Sequence, residues 1–90
     1  MKHLLVRHQV ADFDAWKPGY DEHRSARQAS GLRDLKVMQG ANDRGDVVLL
    51  FEVVDESRAR EFIASSDLAS KMRELGVVGE PTVLFLDGHA

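Results

Sequence analysis

The stretch from Asp46 to Val54 constrains this chain more than any other. Val47, Leu49, Phe51 and Val53 fall on one side of an extended backbone, and Val48, Leu50, Glu52 and Val54 fall on the other. A strand that is apolar on both sides belongs inside a sheet, and both faces of that sheet must be kept from water. The rest of the chain supplies the neighbours. Leu4, Val6, His8 and Val10 alternate with Leu5, Arg7 and Gln9 in a first strand from about His3 to Val10. A second strand covers about Arg33 to Gln39, with Leu35 and Val37 opposing Lys36 and Met38. Gly40 to Gly45 is turn chemistry joining it to the third strand, and a last strand runs from about Pro81 to Leu86.

Two helical stretches lie between the strands. Phe13, Trp16, Tyr20, His23 and Arg27 recur at helical spacing behind an Asp12 cap, and Ser30-Gly31 ends the run. Pro18 cannot donate to the carbonyl of Asp14, so a loose first turn is expected, with a regular helix from about Lys17. Asp55 caps the second helix, whose stripe is Ala59, Phe62, Ile63 and Ser66. Ser65-Ser66-Asp67 restarts or kinks it before Leu68, Met72 and Leu75, and Gly76 stops it. The order is β-α-β-β-α-β. Right-handed crossovers and one hairpin fold it into a ferredoxin-like α+β domain, residues 1–90, with strand order 4-1-3-2 and both helices on one face.

The other face is the problem. Leu5, Met38, Val48, Leu50, Leu84 and Leu86 would share it, more apolar surface than a soluble monomer normally exposes. A chain of 90 residues buries only about 60–65% of its unfolded surface, so this area matters to its stability. The simplest cover is the same sheet of a second copy, a homodimer closed as a two-subunit barrel. Arg7, Lys36 and Glu52 on that face would then need partners or water.

Composition removes several function classes. There is no cysteine, which excludes disulfides and thiolate metal sites and makes a cytoplasmic setting the default. Twelve basic against fifteen acidic residues give a net charge of −3, without a basic run to track phosphates, so nucleic acid is not an expected partner. No apolar run approaches a membrane span, and the start is broken by Arg7 too soon for a signal peptide. No phosphate loop or dinucleotide fingerprint appears, so no cofactor is expected.

The candidate site is built on two histidines. His8 lies among apolar neighbours on the first strand, and His23 shares a helix side with Trp16. A buried imidazole stays neutral at physiological pH, as a general base should. The plainer reading makes it a core ring bonded to the backbone. As a metal pair the two lack a third ligand unless Glu52 changes faces, so no metal is expected. Trp16 is a flat apolar plate for stacking a ligand or simple core filling, and Tyr20 could donate to a developing oxyanion or merely pack. Phe51 on the inner side of the third strand and Met72 on the second helix complete the candidate wall. Ser65 and Ser66 read as helix caps, and Arg44-Gly45-Asp46 as hairpin turn. Arg27, Arg58, Lys71, Glu74 and their neighbours read as a solvated coat.

The run from His8 to Lys17, then Tyr20-Asp21-Glu22-His23, Ser66-Asp67-Leu68, Met72 and Gly76 to Pro81 resemble the dimeric α/β-barrel superfamily. It includes antibiotic-biosynthesis-monooxygenase-like domains and small polyketide cyclases. The resemblance spans nearly the whole chain. It implies a homodimer with a pocket between sheet and helices, where His8, Trp16 and His23 would lie. Haem-degrading members carry an asparagine on the first strand and a haem-ligating histidine on the second helix. This chain has His8 on the strand and no histidine from Glu56 to Leu75, which argues against haem. The asparagine and tryptophan of the quinone-forming monooxygenases have no close match either. The expected function is an apolar pocket for a flat or enolisable organic molecule, worked by a histidine base. It would be a cofactor-independent cyclase, isomerase or monooxygenase, and the alternative is a module that binds or dimerises without turnover.

Overall fold

A computed structural model describes residues 1–89. Four strands, β1 (Lys2–Val10), β2 (Leu32–Gly40), β3 (Asp43–Val53) and β4 (Val77–Asp87), form one antiparallel sheet in the order β2-β3-β1-β4. Four short helices, α1 (Phe13–Glu22), α2 (Arg24–Ala29), α3 (Glu56–Ile63) and α4 (Ser66–Glu74), occupy the two crossovers. This is the expected ferredoxin-like α+β arrangement, with each long helix divided in two.

The divisions have local causes. Asp12 accepts from the N–H groups of Asp14 at 3.0 Å and Ala15 at 3.4 Å, and Trp16 N–H reaches the Asp12 carbonyl at 3.0 Å. The first turn is therefore intact from Phe13, against the loose start expected, because the cap holds it while Pro18 sits further in. The regular hydrogen bonding gives way later, at His23, whose N–H is shared between Gly19 and Tyr20 carbonyls at 3.2 Å each. On the other crossover, Asp55 caps α3 and Ser65 caps α4 by accepting from Leu68 N–H at 3.2 Å, the restart expected there.

Gly31 follows α2 with φ +76°, which ordinary L side chains avoid. Its carbonyl receives the N–H groups of Val54 and Asp55 at 2.8 and 3.3 Å, tying the end of α2 to the start of the second crossover.

Two strands differ from expectation in register. Asp34 pairs with Phe51 but Lys36 with Leu50, so Leu35 is an extra residue and stands 43% exposed rather than in the core. This bulge puts Asp34 on the same side as Phe51, under the helices. The hairpin is tighter than expected, and Arg44-Gly45-Asp46 lies within β3. On the opposite edge, β4 starts at Val77 instead of Pro81. Arg7 pairs with Thr82 and Gln9 with Val78, leaving Gly79, Glu80 and Pro81 against His8. Gly79, at φ +73°, permits that bulge.

The core joins the inner side of the sheet to the helices: Leu4, Val6 and Val10 from β1, Val47, Leu49 and Phe51 from β3, with Leu32, Trp16, Tyr20 and Ala59. Among the described residues, no element covers the outer side. Met38, Leu84 and Leu86 are 41%, 46% and 41% exposed there, with Leu5 aligned between Leu50 and Leu84. Its charges are partly paired already. Arg7 grips Asp46 through two bonds of 2.9 and 2.8 Å, and Arg33 meets Glu52 at 2.6 Å. Among the described residues, no helix is long and apolar enough to cross a membrane.

Candidate functional site

Strand parity delivers His8 to the inner side. The alternation that buries Leu4, Val6 and Val10 carries the His8 ring with them, 5% exposed. One helical turn separates Trp16 from Tyr20, so their rings stack at 4.7 Å between centroids. The His8 ring meets Trp16 edge-on at 5.5 Å. Arg27, seven residues beyond Tyr20, lays its guanidinium 3.7 Å from the Tyr20 ring centre. It is 3% exposed and fully engaged, donating twice to Asp34 at 2.9 Å and once to the Tyr20 carbonyl at 2.6 Å.

These groups wall one cavity of about 60 Å³ between sheet and helices. His8, Trp16, Tyr20, His23, Phe51 and Met72, all singled out from the sequence, line it together. Phe62, Ile63, Leu68 and Leu75 close the helix side, with Val6, Leu32 and Leu49 on the sheet side. His23 stands at the rim, its ring 6.2 Å from that of Phe62, and it also lines an outer hollow with Arg58, Glu61 and Asp67.

Two polar atoms in this wall have no partner. The Nδ1 of His8 and the hydroxyl of Tyr20 are buried without a hydrogen bond. Buried donors and acceptors are almost always paired, so two unpaired ones among the residues of one cavity are unusual. Burial lowers the His8 pKa, keeping the ring neutral near pH 7, and holds the Tyr20 hydroxyl well above the ordinary phenol range. His23 is lowered as well, by desolvation and then by the charges of Lys71 and Arg27. A neutral imidazole and a protonated phenol thus belong to the residues that line this largely apolar cavity. Among the described residues there is no group of three or more His, Asp or Glu side chains able to hold a metal ion.

Two residues expected in the solvated coat belong to the cavity. Arg27 and Lys71 both line it. Helical spacing contained the signal: Lys71 is three residues after Leu68 and four before Leu75, and Arg27 is four after His23. Asp34 had no such signal, because only the bulge at Leu35 turns it inward.

No protein-family model matches the sequence, and comparison with curated proteins finds no match. Solved structures do match. A protein from Bordetella bronchiseptica, provisionally named an antibiotic biosynthesis monooxygenase, superposes with a TM-score of 0.80 at 10% identity, covering 99% of this chain and 97% of that one. A point variant of SnoaB, a cofactor-independent oxygenase from Streptomyces nogalater, gives 0.71 at 13% identity over 99% and 93%. The fold is that of the antibiotic-biosynthesis-monooxygenase structures. A provisionally named monooxygenase from Nitrosomonas europaea gives 0.70 at 15% identity over 98% of both chains. At these identities the monooxygenase fold is common ground, and chemistry has to be argued from side chains.

Proposed function

We propose that this protein is a cytoplasmic homodimer in which each subunit uses His8 to take a proton from a small, flat, enolisable or phenolic molecule. The orphan pair supports this reading: as α4 yields to a ligand, Nδ1 of His8 accepts the proton and the Tyr20 hydroxyl donates to the oxygen on which negative charge develops. Trp16 and Phe62 supply the apolar walls that keep water from competing. The resulting anion then either takes the proton back from His8 at another carbon or adds to a carbonyl of the same molecule, whose C=O π bond opens and whose oxygen takes that proton, so neither course needs a cofactor. His23, at the rim, is placed to accept a hydrogen bond or relay the proton outward.

The volume limits the ligand. A cavity of about 60 Å³ is under half the roughly 150 Å³ of an apolar cavity that admits benzene. Helix α4, which has no fully buried residue, is the wall that yields to anything larger. The homodimer rests on the exposed Met38, Leu84 and Leu86, whose burial at roughly 25 cal/mol per Å² offsets part of the cost of bringing two small subunits together.

A second reading has its own support. A cavity this size also holds a few waters, which would satisfy both orphans and leave a dimerisation module without turnover. Acetylacetone, small and flat as its enol, separates the two. Its keto–enol interconversion should run about 10²–10⁴-fold faster at the site than in the His8→Gln protein, the usual range for a positioned base. Interconversion at the buffer rate with the native protein favours the module.

A further inference from the structure

The cavity wall is electrically one-sided. The chain as a whole is acidic, at −3, yet among the described residues no carboxylate lines the cavity. Its charged side chains are Arg27 and Lys71, accompanied by the imidazoles of His8 and His23. Arg27 is cancelled by Asp34 and has its donors in use. Lys71 is held more loosely: its salt bridge to Glu74 on the same helix is 3.7 Å long, beyond hydrogen-bond length, and Glu74 is mostly exposed to water, so the ammonium keeps its donors for another acceptor. The outer hollow holds both signs, Arg58 with Glu61 and Asp67, so the excess of positive charge belongs to the inner wall. The same field helps to depress His23.

We propose that the pocket selects organic monoanions: a flat apolar head enters beside Trp16, and a carboxylate stays at the rim on the Lys71 ammonium and an N–H of His23. This rests on the cavity being a ligand site and adds the charge class of the ligand. The rim is where a carboxylate costs least. It keeps part of its hydration while the ammonium, half-buried on α4, makes a charge-assisted bond stronger than one in open water. A cationic ligand meets the Lys71 ammonium and finds no carboxylate among the described lining residues to receive it. Only the apolar head has to enter, and a ring-sized head does so as α4 yields.

Phenylpyruvate and its methyl ester are matched probes, sharing ring and enolisable carbon and differing in charge. By NMR titration of the full-length protein, phenylpyruvate should bind at least tenfold more tightly than the ester. Lys71→Met should shrink that preference to within about twofold, Lys71→Arg should keep most of it, and higher salt should weaken it. Equal binding of acid and ester, or a preference untouched by Lys71→Met in a folded variant, overturns the proposal. Neither result touches the base reading, which the uncharged acetylacetone tests separately. Failure of both phenylpyruvate and its ester to bind overturns the proposal at its root.

Discussion

Replacing His8 by leucine should make the protein more stable, and the gain should depend on pH in a defined direction. Leucine is close to histidine in volume, so little space is opened. The native ring leaves Nδ1 buried and unpaired, a burden of about 1–3 kcal/mol, against which its edge contact with Trp16 returns about 0.5–1.5 kcal/mol. The net expectation at pH 8 is a gain of about 1 kcal/mol, or about 4–8 °C in Tm for a domain this small. The folded His8 has a pKa below the ordinary 6.5, so below that pH the unfolded chain binds a proton the folded one refuses. The native protein therefore loses stability as pH falls through that window, by up to about 1.4 kcal/mol per pH unit, and His8→Leu lacks this loss. The gap should therefore widen as pH falls from 8 to 5. Urea unfolding followed by the single, buried Trp16 measures it, at one protein concentration because subunits associate. A variant less stable than native at both pH values would mean that the ring makes a stabilising bond. The idea of a base kept at a cost to stability would then be refuted.

Asp34→Ala leaves Arg27 buried and unpaired and should cost about 3 kcal/mol or more in urea unfolding, with much of it regained when Arg27→Met is added. Leu84→Lys puts a charge among the apolar groups of the bare outer face and should shift sedimentation from dimer to monomer, whereas an unchanged dimer places the interface elsewhere. Gly31→Ala forces a Cβ to about 2.7 Å from Asp55 Cβ at φ +76° and should lower stability by about 1–2 kcal/mol or more in the same assay.

The sheet was legible because its period is strict. Alternation in β1 and β3 put Leu4, Val6, His8, Leu49 and Phe51 on one side without reference to anything distant. The gathering of His8, Trp16, Tyr20 and His23 followed from that parity and the helical stripe. Bulges were not legible, because one added residue is decided by what the strand packs against. Leu35 therefore left the core, Asp34 entered it, and β4 began four residues early. Arg27 and Lys71 were misplaced for another reason. Long cationic side chains bury their stems and keep their heads near a partner or water, so residue type alone says surface while spacing says wall. The helix breaks at His23 and Ser65 divide along the same line. Ser65 is a recognisable cap, whereas His23 has no side-chain cap bond and its break depends on packing.

The pH profile of acetylacetone interconversion tests the central claim most directly. If the buried imidazole is the base, kcat/KM rises as pH passes a midpoint below 6.5, stays level above it, and vanishes in His8→Gln. A native protein that gives no acceleration at any pH, or a profile that His8→Gln leaves intact, would contradict it.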